Sequence, residues 1–190
     1  MNKPVIGFAM CGSFCTFASV IPQIKILKDS GFNIIPIMSH VAYTTDTRFG
    51  KAEDFIAKIE TICEHPIWHT TAEVEPIGPK KLLDLLIIEP ATGNTLAKLA
   101  SGIADTPVTL AAKAHLSNAR PVLVAVSTND ALAGNAGNIG KLLNTPNYYF
   151  LPLRQDDCKN KPRSIVANFD KTLEYAVAAM EGIQMQPLLS

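Results

Sequence analysis

An apolar run that leads directly into a polar turn and a helix constrains this fold more than any other feature. Residues 84–105 read DLLIIEPATGNTLAKLASGIAD. The apolar run has no polar face, which is typical of a parallel strand covered on both sides. Pro90 has no N–H for the ladder and is predicted to end the strand. Thr92–Thr95 are turn and capping residues, and a helical repeat then runs from Leu96 to Gly102.

The same turn predicts an anion site. The first N–H groups of a helix have no partner inside the helix, so a strand–turn–helix junction directs several of them at one point. Phosphate is the anion most often bound at such a point. Residues 92–95 therefore indicate one half of a nucleotide-type cofactor site.

The rest of the chain alternates short apolar strands with helices. Further strands are predicted at residues 5–10, 33–38, 66–69, 121–127 and 148–153. Further helices are predicted at residues 14–29 (with a kink or a late start at Pro22), 51–63, 107–117, 130–143 and 164–182. Residues 40–50 lack periodicity and predict a loop. This alternation predicts one domain over residues 1–190, an α/β fold with a doubly wound, Rossmann-like parallel sheet of about six strands and helices on both faces.

Composition excludes several classes of function. Seventeen basic and seventeen acidic residues cancel, which leaves no positive field to hold nucleic acid. Four cysteines without paired spacing favour a reducing compartment. Residues 5–22 (VIGFAMCGSFCTFASVIP) resemble a signal-peptide core and the residues before Cys11 a lipoprotein site, but a first buried strand and its helix explain them better. No apolar stretch is long enough to span a membrane, so a cytoplasmic protein is predicted.

Small polar residues follow four of the predicted strands. Ligands of doubly wound sheets bind beyond the carboxyl ends of the strands, so these residues predict a polar crevice. They are Gly12 and Ser13, Ser39, Thr92–Thr95, and Ser127–Asn129. Glycine lets the backbone approach a ligand closely, and hydroxyl groups donate to phosphate oxygens. The chain has no GxGxxG or Walker loop, so neither a dinucleotide site nor an NTPase is predicted.

These strand ends resemble those of a known family. The stretch PATGNTLAKLASGIADT is similar to the PASANT signature of the flavin-containing cysteine decarboxylases, which include phosphopantothenoylcysteine and lantibiotic-peptide decarboxylases and their prenyl-flavin relatives. The resemblance implies FMN as the cofactor. Its implied contacts are Gly12, Ser13, Ser39, Pro90, Ala91, Thr92, Gly93, Asn94 and Thr95. Asn129 matches the substrate-binding asparagine of the family's PAMN motif, and catalytic roles at the ring or substrate are implied for Asn94 and Asn129.

Three further stretches carry a closer resemblance within that family. They are AKAHLSNARPVLVAVSTNDALAGNAGNIGKLL, YYFLPLRQDD and QMQPLL. This resemblance implies a homo-oligomeric flavoprotein that oxidises a dihydrodipicolinate-level precursor to dipicolinic acid during bacterial sporulation. It also implies a partner protein similar to a nicotinamide-dependent dehydrogenase. Arg48, in the polar loop, is a candidate to clamp a carboxylate of such a dicarboxylate substrate.

One position departs from the family pattern. The active-site histidine of the decarboxylases falls on Pro76 here, and proline cannot transfer a proton. Three functions therefore stay open: one component of an oxidoreductase, a non-catalytic assembly partner that keeps the fold, and a decarboxylase that uses another acid. No metal site is predicted, because the pairs Cys11/Cys15 and His65/His69 lack further ligands.

Overall fold

A six-stranded sheet lies at the centre of the computed structural model, which describes residues 3–190. The strands are β1 (Val5–Met10), β2 (Asn33–Met38), β3 (Leu85–Ala91), β4 (Val122–Thr128), β5 (Tyr148–Phe150) and β6 (Ile165–Val166). Five strands are parallel in the order β2-β1-β3-β4-β5, and β6 pairs antiparallel with the end of β4. This topology confirms the predicted doubly wound α/β fold.

Helices cover both faces of the sheet. They are α1 (Phe17–Asp29), α2 (His40–Thr44), α3 (Ala52–Cys63), α4 (Thr71–Val74), α5 (Gly93–Ser101), α6 (Pro107–Leu116), α7 (Ala136–Leu143) and α8 (Thr172–Met180). Short 3₁₀ turns lie at Phe14–Thr16, Glu75–Ile77 and Phe169–Lys171. No helix within residues 3–190 has both the length and the hydrophobicity needed to cross a bilayer.

Alternating side chains of the strands build two cores. Leu85 and Ile87 of β3 pack with α1, α3 and α8, whereas Leu86 and Ile88 pack with α5, α6 and α7. Because successive side chains point to opposite faces, a strand buried on both faces must be apolar throughout. This requirement explains the uninterrupted apolar run that leads into the central turn.

The strand order reverses between β1 and β3, which places a crevice beyond their carboxyl ends. The N–H of Cys11, just after β1, donates to the carbonyl oxygen of Pro90 at 3.2 Å. Pro90 therefore does not end β3, as the sequence predicted, but lies inside it. Pairing with β4 shifts in register between Ile88 and Ala91, so the proline falls where the regular ladder is already interrupted.

Five other predictions of local structure were wrong or incomplete. Residues 40–44 form α2, which Ser39 caps, and residues 66–69 contribute only an isolated bridge to β2. The predicted helix at 130–143 begins at residue 136, after a hydrogen-bonded turn around Asp130. The predicted helix at 164–182 begins at residue 172, because β6 comes first. Helix α1 runs through Pro22, with a 3₁₀ turn before it.

Candidate functional site

A cleft of about 490 Å³ opens beyond the carboxyl ends of β1, β3 and β4. Residues from three of the four predicted strand ends line it: Gly12 and Ser13, Thr92, and Ser127–Asn129. The cleft therefore lies where the topology predicts a ligand. Ser39, from the fourth strand end, does not line this cleft. Its hydroxyl oxygen instead accepts the N–H of Ala42 at 3.2 Å and caps α2.

A pair of hydroxyl groups joins two walls of the cleft. The Oγ atoms of Ser13, after β1, and Ser127, at the end of β4, lie 2.8 Å apart. Each hydroxyl group has one hydrogen, and one of the two lies between the oxygens. The Oγ of Ser13 also lies 3.9 Å from the Sγ of Cys15, so the hydroxyl pair and this thiol form one polar group at the cleft. The sequence placed Ser127 at one of the polar strand ends but gave no sign of its pairing with Ser13, which is a contact between residues far apart in the chain.

Backbone N–H groups without a hydrogen-bond acceptor also indicate an anion site near the two turns. Gly93 and Asn94, in the first turn of α5, have N–H groups without an acceptor among the described residues. The same holds for Gly12, Phe14 and Cys15 around the turn after β1. Free N–H groups at a helix start, together with neighbouring hydroxyls, suit a phosphate ester. These donors therefore suit the nucleotide-type cofactor that the sequence predicts.

The absence of a side chain at Gly93 lets the turn after β3 lie close to the end of β4. An added Cβ there would lie 2.5 Å from Asn135 Nδ2, 2.8 Å from Asp130 Oδ1 and 2.8 Å from Thr128 Oγ1. The carboxylate of Asp130 accepts hydrogen bonds from Thr128 Oγ1 at 2.7 Å and Asn135 Nδ2 at 2.8 Å. Only glycine therefore lets the α5 turn approach the β4 end so closely.

Thr95 lies beneath the cleft and links the turn after β3 to the end of β1. It is buried, and its hydroxyl donates to the Sγ of Cys11 at 3.2 Å. Burial raises the pKa of Cys11 to about 11 despite hydrogen bonds from Thr95 and the Thr92 backbone, so this thiol stays protonated. Pro90 and Ala91 are buried in β3 and offer only backbone atoms.

The three remaining predicted site residues are exposed. Asn129 lines the cleft, whereas Asn94 lies on the first turn of α5 outside the lining. The guanidinium carbon of Arg48 lies 4.9 Å from the centre of the Phe49 ring, and Phe49 lines the cleft. Arg48 itself is not among the lining residues. The functional roles of all three stay predictions.

The sequence did not predict a fourth wall, which comes from the chain between β5 and β6. Asp156, Lys161, Ser164 and Val166 all line the cleft. The signal was present, because Ile165, Ala167 and Phe169 alternate with more exposed residues as in a strand. The helical assignment of this segment concealed it.

A buried carboxyl group at the end of β3 was also missed. Glu89 is fully buried, and its two carboxyl oxygens lie 3.0 and 2.8 Å from the Oγ1 of Thr172. That hydroxyl also lies 2.7 Å from the carbonyl oxygen of Phe169. Burial raises the pKa of Glu89 to about 8, although the Thr172 hydrogen bond opposes the shift. At neutral pH the carboxyl group is therefore mainly protonated.

The position of the decarboxylase histidine contributes nothing to this cleft. Pro76 lies on the 3₁₀ turn Glu75–Ile77, which packs against α6, and is absent from the cleft lining. Over the part of the chain that the structure describes, no cluster of three or more histidine, cysteine or carboxylate side chains could hold a metal ion.

Comparison with known proteins identifies close relatives. The Flavoprotein family profile matches residues 1–174. The B component of dipicolinate synthase from Bacillus subtilis (strain 168) is 41% identical over 184 residues, which cover 97% of this chain and 92% of that protein.

Solved structures give the same result. The crystal structure of the dipicolinate synthase B component from Bacillus halodurans C matches with a TM-score of 0.91 and 43% identity, and covers 100% of this chain and 98% of that chain. The FMN-dependent cysteine decarboxylase SpaF matches with a TM-score of 0.68 at 22% identity, over 95% of this chain and 98% of that one, and shares the fold.

Proposed function

The chain belongs to the flavoprotein family, and from this premise we propose that it is the FMN-binding component of a dipicolinate synthase. The observation that carries the proposal is the cleft itself. The turn after β1, with its unpartnered N–H groups, and the hydroxyl groups of Ser13, Thr92 and Ser127 line it at the topological switch point. Similarity over 97% of the chain to the B component of a dipicolinate synthase supports the choice within the family.

FMN fits this cleft through the donors of the two turns. Gly12, Ser13 and Thr92, which line the cleft, would receive the phosphate together with the free N–H groups of Gly93 and Asn94 in the turn that follows Thr92. Phe14 and Phe49, which also line the cleft, would offer aromatic surface to the flavin ring. Ser39, which caps α2, would act from outside this lining. The name of SpaF, an FMN-dependent relative in fold, supports FMN as the flavin.

The proposed reaction is the oxidation of a cyclic dicarboxylate at the dihydrodipicolinate level to dipicolinic acid in sporulating bacteria. When bound, the flavin supplies a ring that accepts a hydride. Asn94 and Asn129 would orient the ring or the substrate. The relatives are each named as one component of a synthase with more than one, which supports a dehydrogenase-like partner, the A component of dipicolinate synthase.

Assembly and location follow from the same proposal. We expect a homo-oligomer, as the family resemblance implies. The four cysteines are free thiols, two buried and two exposed, which favours the reducing cytoplasm.

Replacing Asn94 by aspartate separates a flavoenzyme from a purely structural partner. A negative charge in the first turn of α5 stabilises the helix by about 0.3–1 kcal/mol, because it faces the positive end of the helix dipole. The same charge repels a phosphate at those N–H groups. We therefore expect Asn94→Asp to weaken FMN binding at least about tenfold without lowering the thermal midpoint, as measured by flavin fluorescence and calorimetry.

Asn33→Asp is the matched control, since Asn33 is exposed at the amino end of β2, at the opposite edge of the sheet. It should leave FMN binding unchanged. A non-catalytic partner should support dipicolinate formation equally well with either variant, and that result would favour the assembly role.

The proposed function is tested by reconstitution. The assay combines this chain with the dehydrogenase-like partner and a substrate mixture that forms dihydrodipicolinate, with and without FMN. Dipicolinate is measured by its ultraviolet absorbance. We expect formation to require both this chain and FMN. Full activity from the dehydrogenase-like partner alone would contradict the proposal, whereas carbon dioxide release from a cysteinyl substrate would support the decarboxylase.

A further inference from the structure

We infer that Lys161 is the residue that binds a carboxylate of the substrate at this cleft. The inference extends the proposed function, because it takes its substrate class from there. It rests on the position of one cation, on the contacts that hold it, and on the charge of the rest of the cleft.

Lys161 lies at the mouth of the cleft with spare hydrogen-bond donors. Its Nζ atom is 3.3 Å from Oδ2 of Asp156, and its side chain is 60% exposed, against 23% for Asp156. An ammonium group has three N–H donors, and Asp156 uses one. Burial raises the pKa of Asp156, but hydrogen bonds from Ser164 and Lys161 outweigh it and hold this pKa below its usual range. The ionised carboxylate therefore keeps the ammonium group at the cleft.

The loop that carries Lys161 is ordered by its own hydrogen bonds. The Lys161 N–H donates to the Asp157 carbonyl at 2.8 Å, and the Ser164 N–H donates to the Lys161 carbonyl at 3.0 Å. Asp157 also accepts from the backbone and side chain of Asn160, at 3.0 and 2.9 Å. These bonds hold the backbone of the loop at Lys161, while the Asp156 carboxylate holds its ammonium group.

This loop is also joined to the flavin side of the cleft. It leads into β6, whose residues pair with Ser127 and Thr128 of β4. Both β4 residues line the same cleft. A ligand that contacts the β4 end and the proposed flavin thus lies within the cleft that Lys161 borders.

Charge identifies what Lys161 binds. Within residues 3–190, two charged side chains line the cleft. Lys161 carries the positive charge and Asp156 the negative charge. The donors that fit the flavin phosphate are neutral, so a dicarboxylate that enters beside FMN meets a single cation. Arg154 lines a neighbouring groove, and Arg48 lies over Phe49 outside the lining. Lys161 is therefore better placed than Arg48 for the carboxylate.

The test is a calorimetric titration of pyridine-2,6-dicarboxylate into the full chain, with and without FMN. Four proteins are compared: the wild type, Lys161→Ala, Lys161→Arg and Lys159→Ala. Lys159 is an exposed lysine on the same loop that does not line the cleft, so Lys159→Ala is the matched control. FMN affinity of each protein is measured separately by fluorescence.

We expect Lys161→Ala to weaken dicarboxylate binding by about tenfold or more, as the loss of a charge-assisted hydrogen bond predicts, with unchanged FMN affinity. Lys161→Arg should retain most of the binding, and Lys159→Ala should match the wild type. Equal dicarboxylate affinity in Lys161→Ala and the wild type would overturn the inference. So would a loss of FMN affinity alone, because the cation would then serve the phosphate. If none of the four proteins binds FMN, the proposed function is contradicted. In that case, a dicarboxylate affinity that falls in Lys161→Ala would still support the inference about Lys161.

Discussion

Gly93→Ala is expected to abolish tight FMN binding and to lower the free energy of unfolding by about 1–3 kcal/mol. The new Cβ would lie 2.5 Å from Asn135 Nδ2 and 2.8 Å from Asp130 Oδ1. These atoms cannot move aside cheaply, because Asp130 accepts from both Thr128 and Asn135. The α5 turn must therefore shift away from β4, which separates the two groups of phosphate donors.

Chemical denaturation and FMN titration measure the two effects of Gly93→Ala. Gly140→Ala in α7 is the matched control, since nothing lies within 4 Å of a Cβ at that position. Alanine in an exposed helix interior should raise stability by about 0.5–1 kcal/mol. A Gly93→Ala protein with wild-type stability and FMN affinity would show that the two strand ends need not be so close.

Glu89→Gln is expected to remove a pH dependence of stability that amounts to a few kcal/mol in the wild type. The folded pKa of Glu89 is raised to about 8 from an ordinary value of 4.5. Between these values the folded state binds a proton that the unfolded state has lost. The stability contributed by the protonated form is therefore fully present below the lower value and is lost as pH rises toward 8. Each pKa unit corresponds to about 1.36 kcal/mol.

Urea denaturation at about pH 5 and about pH 8.5 measures this effect. Glutamine keeps a carbonyl oxygen that accepts from the Thr172 hydroxyl and stays neutral as the protonated acid does, so the variant should match the wild type at low pH and exceed it at high pH. Glu75→Gln, at an exposed position, is the control and should follow the wild type at both pH values. A Glu89→Gln protein whose stability follows the wild-type pH curve would mean that this carboxyl group does not titrate in the range given.

The fold and three of its strand ends could be predicted because local patterns determined them. An apolar run without a polar face indicates a doubly covered parallel strand, and the carboxyl ends of such strands meet at one edge. Gly12, Ser13, Thr92 and Asn129 were therefore placed correctly at one cleft. The packing role of Gly93 was not predicted, because it depends on Asp130 and on residues farther along the chain.

The fourth wall could not be derived in the same way. The alternation around β6 extends over only a few residues and competes with a helical reading of the same segment, and the pairing of β6 with β4 is a tertiary contact. The position of Lys161 depends on that pairing. Glu89 was hidden for a similar reason, because its hydroxyl partner, Thr172, lies 83 residues away in the sequence. Long-range contacts thus account for the residues that the sequence did not reveal.

The central claim is that the cleft beyond β1, β3 and β4 binds FMN. The most direct measurement is the visible spectrum of the purified chain after incubation with FMN and removal of the free flavin. We predict that about one FMN stays bound per chain in the wild type and that Gly93→Ala retains almost none. A wild-type protein that emerges colourless, with no fluorescence change on FMN titration, would contradict the account.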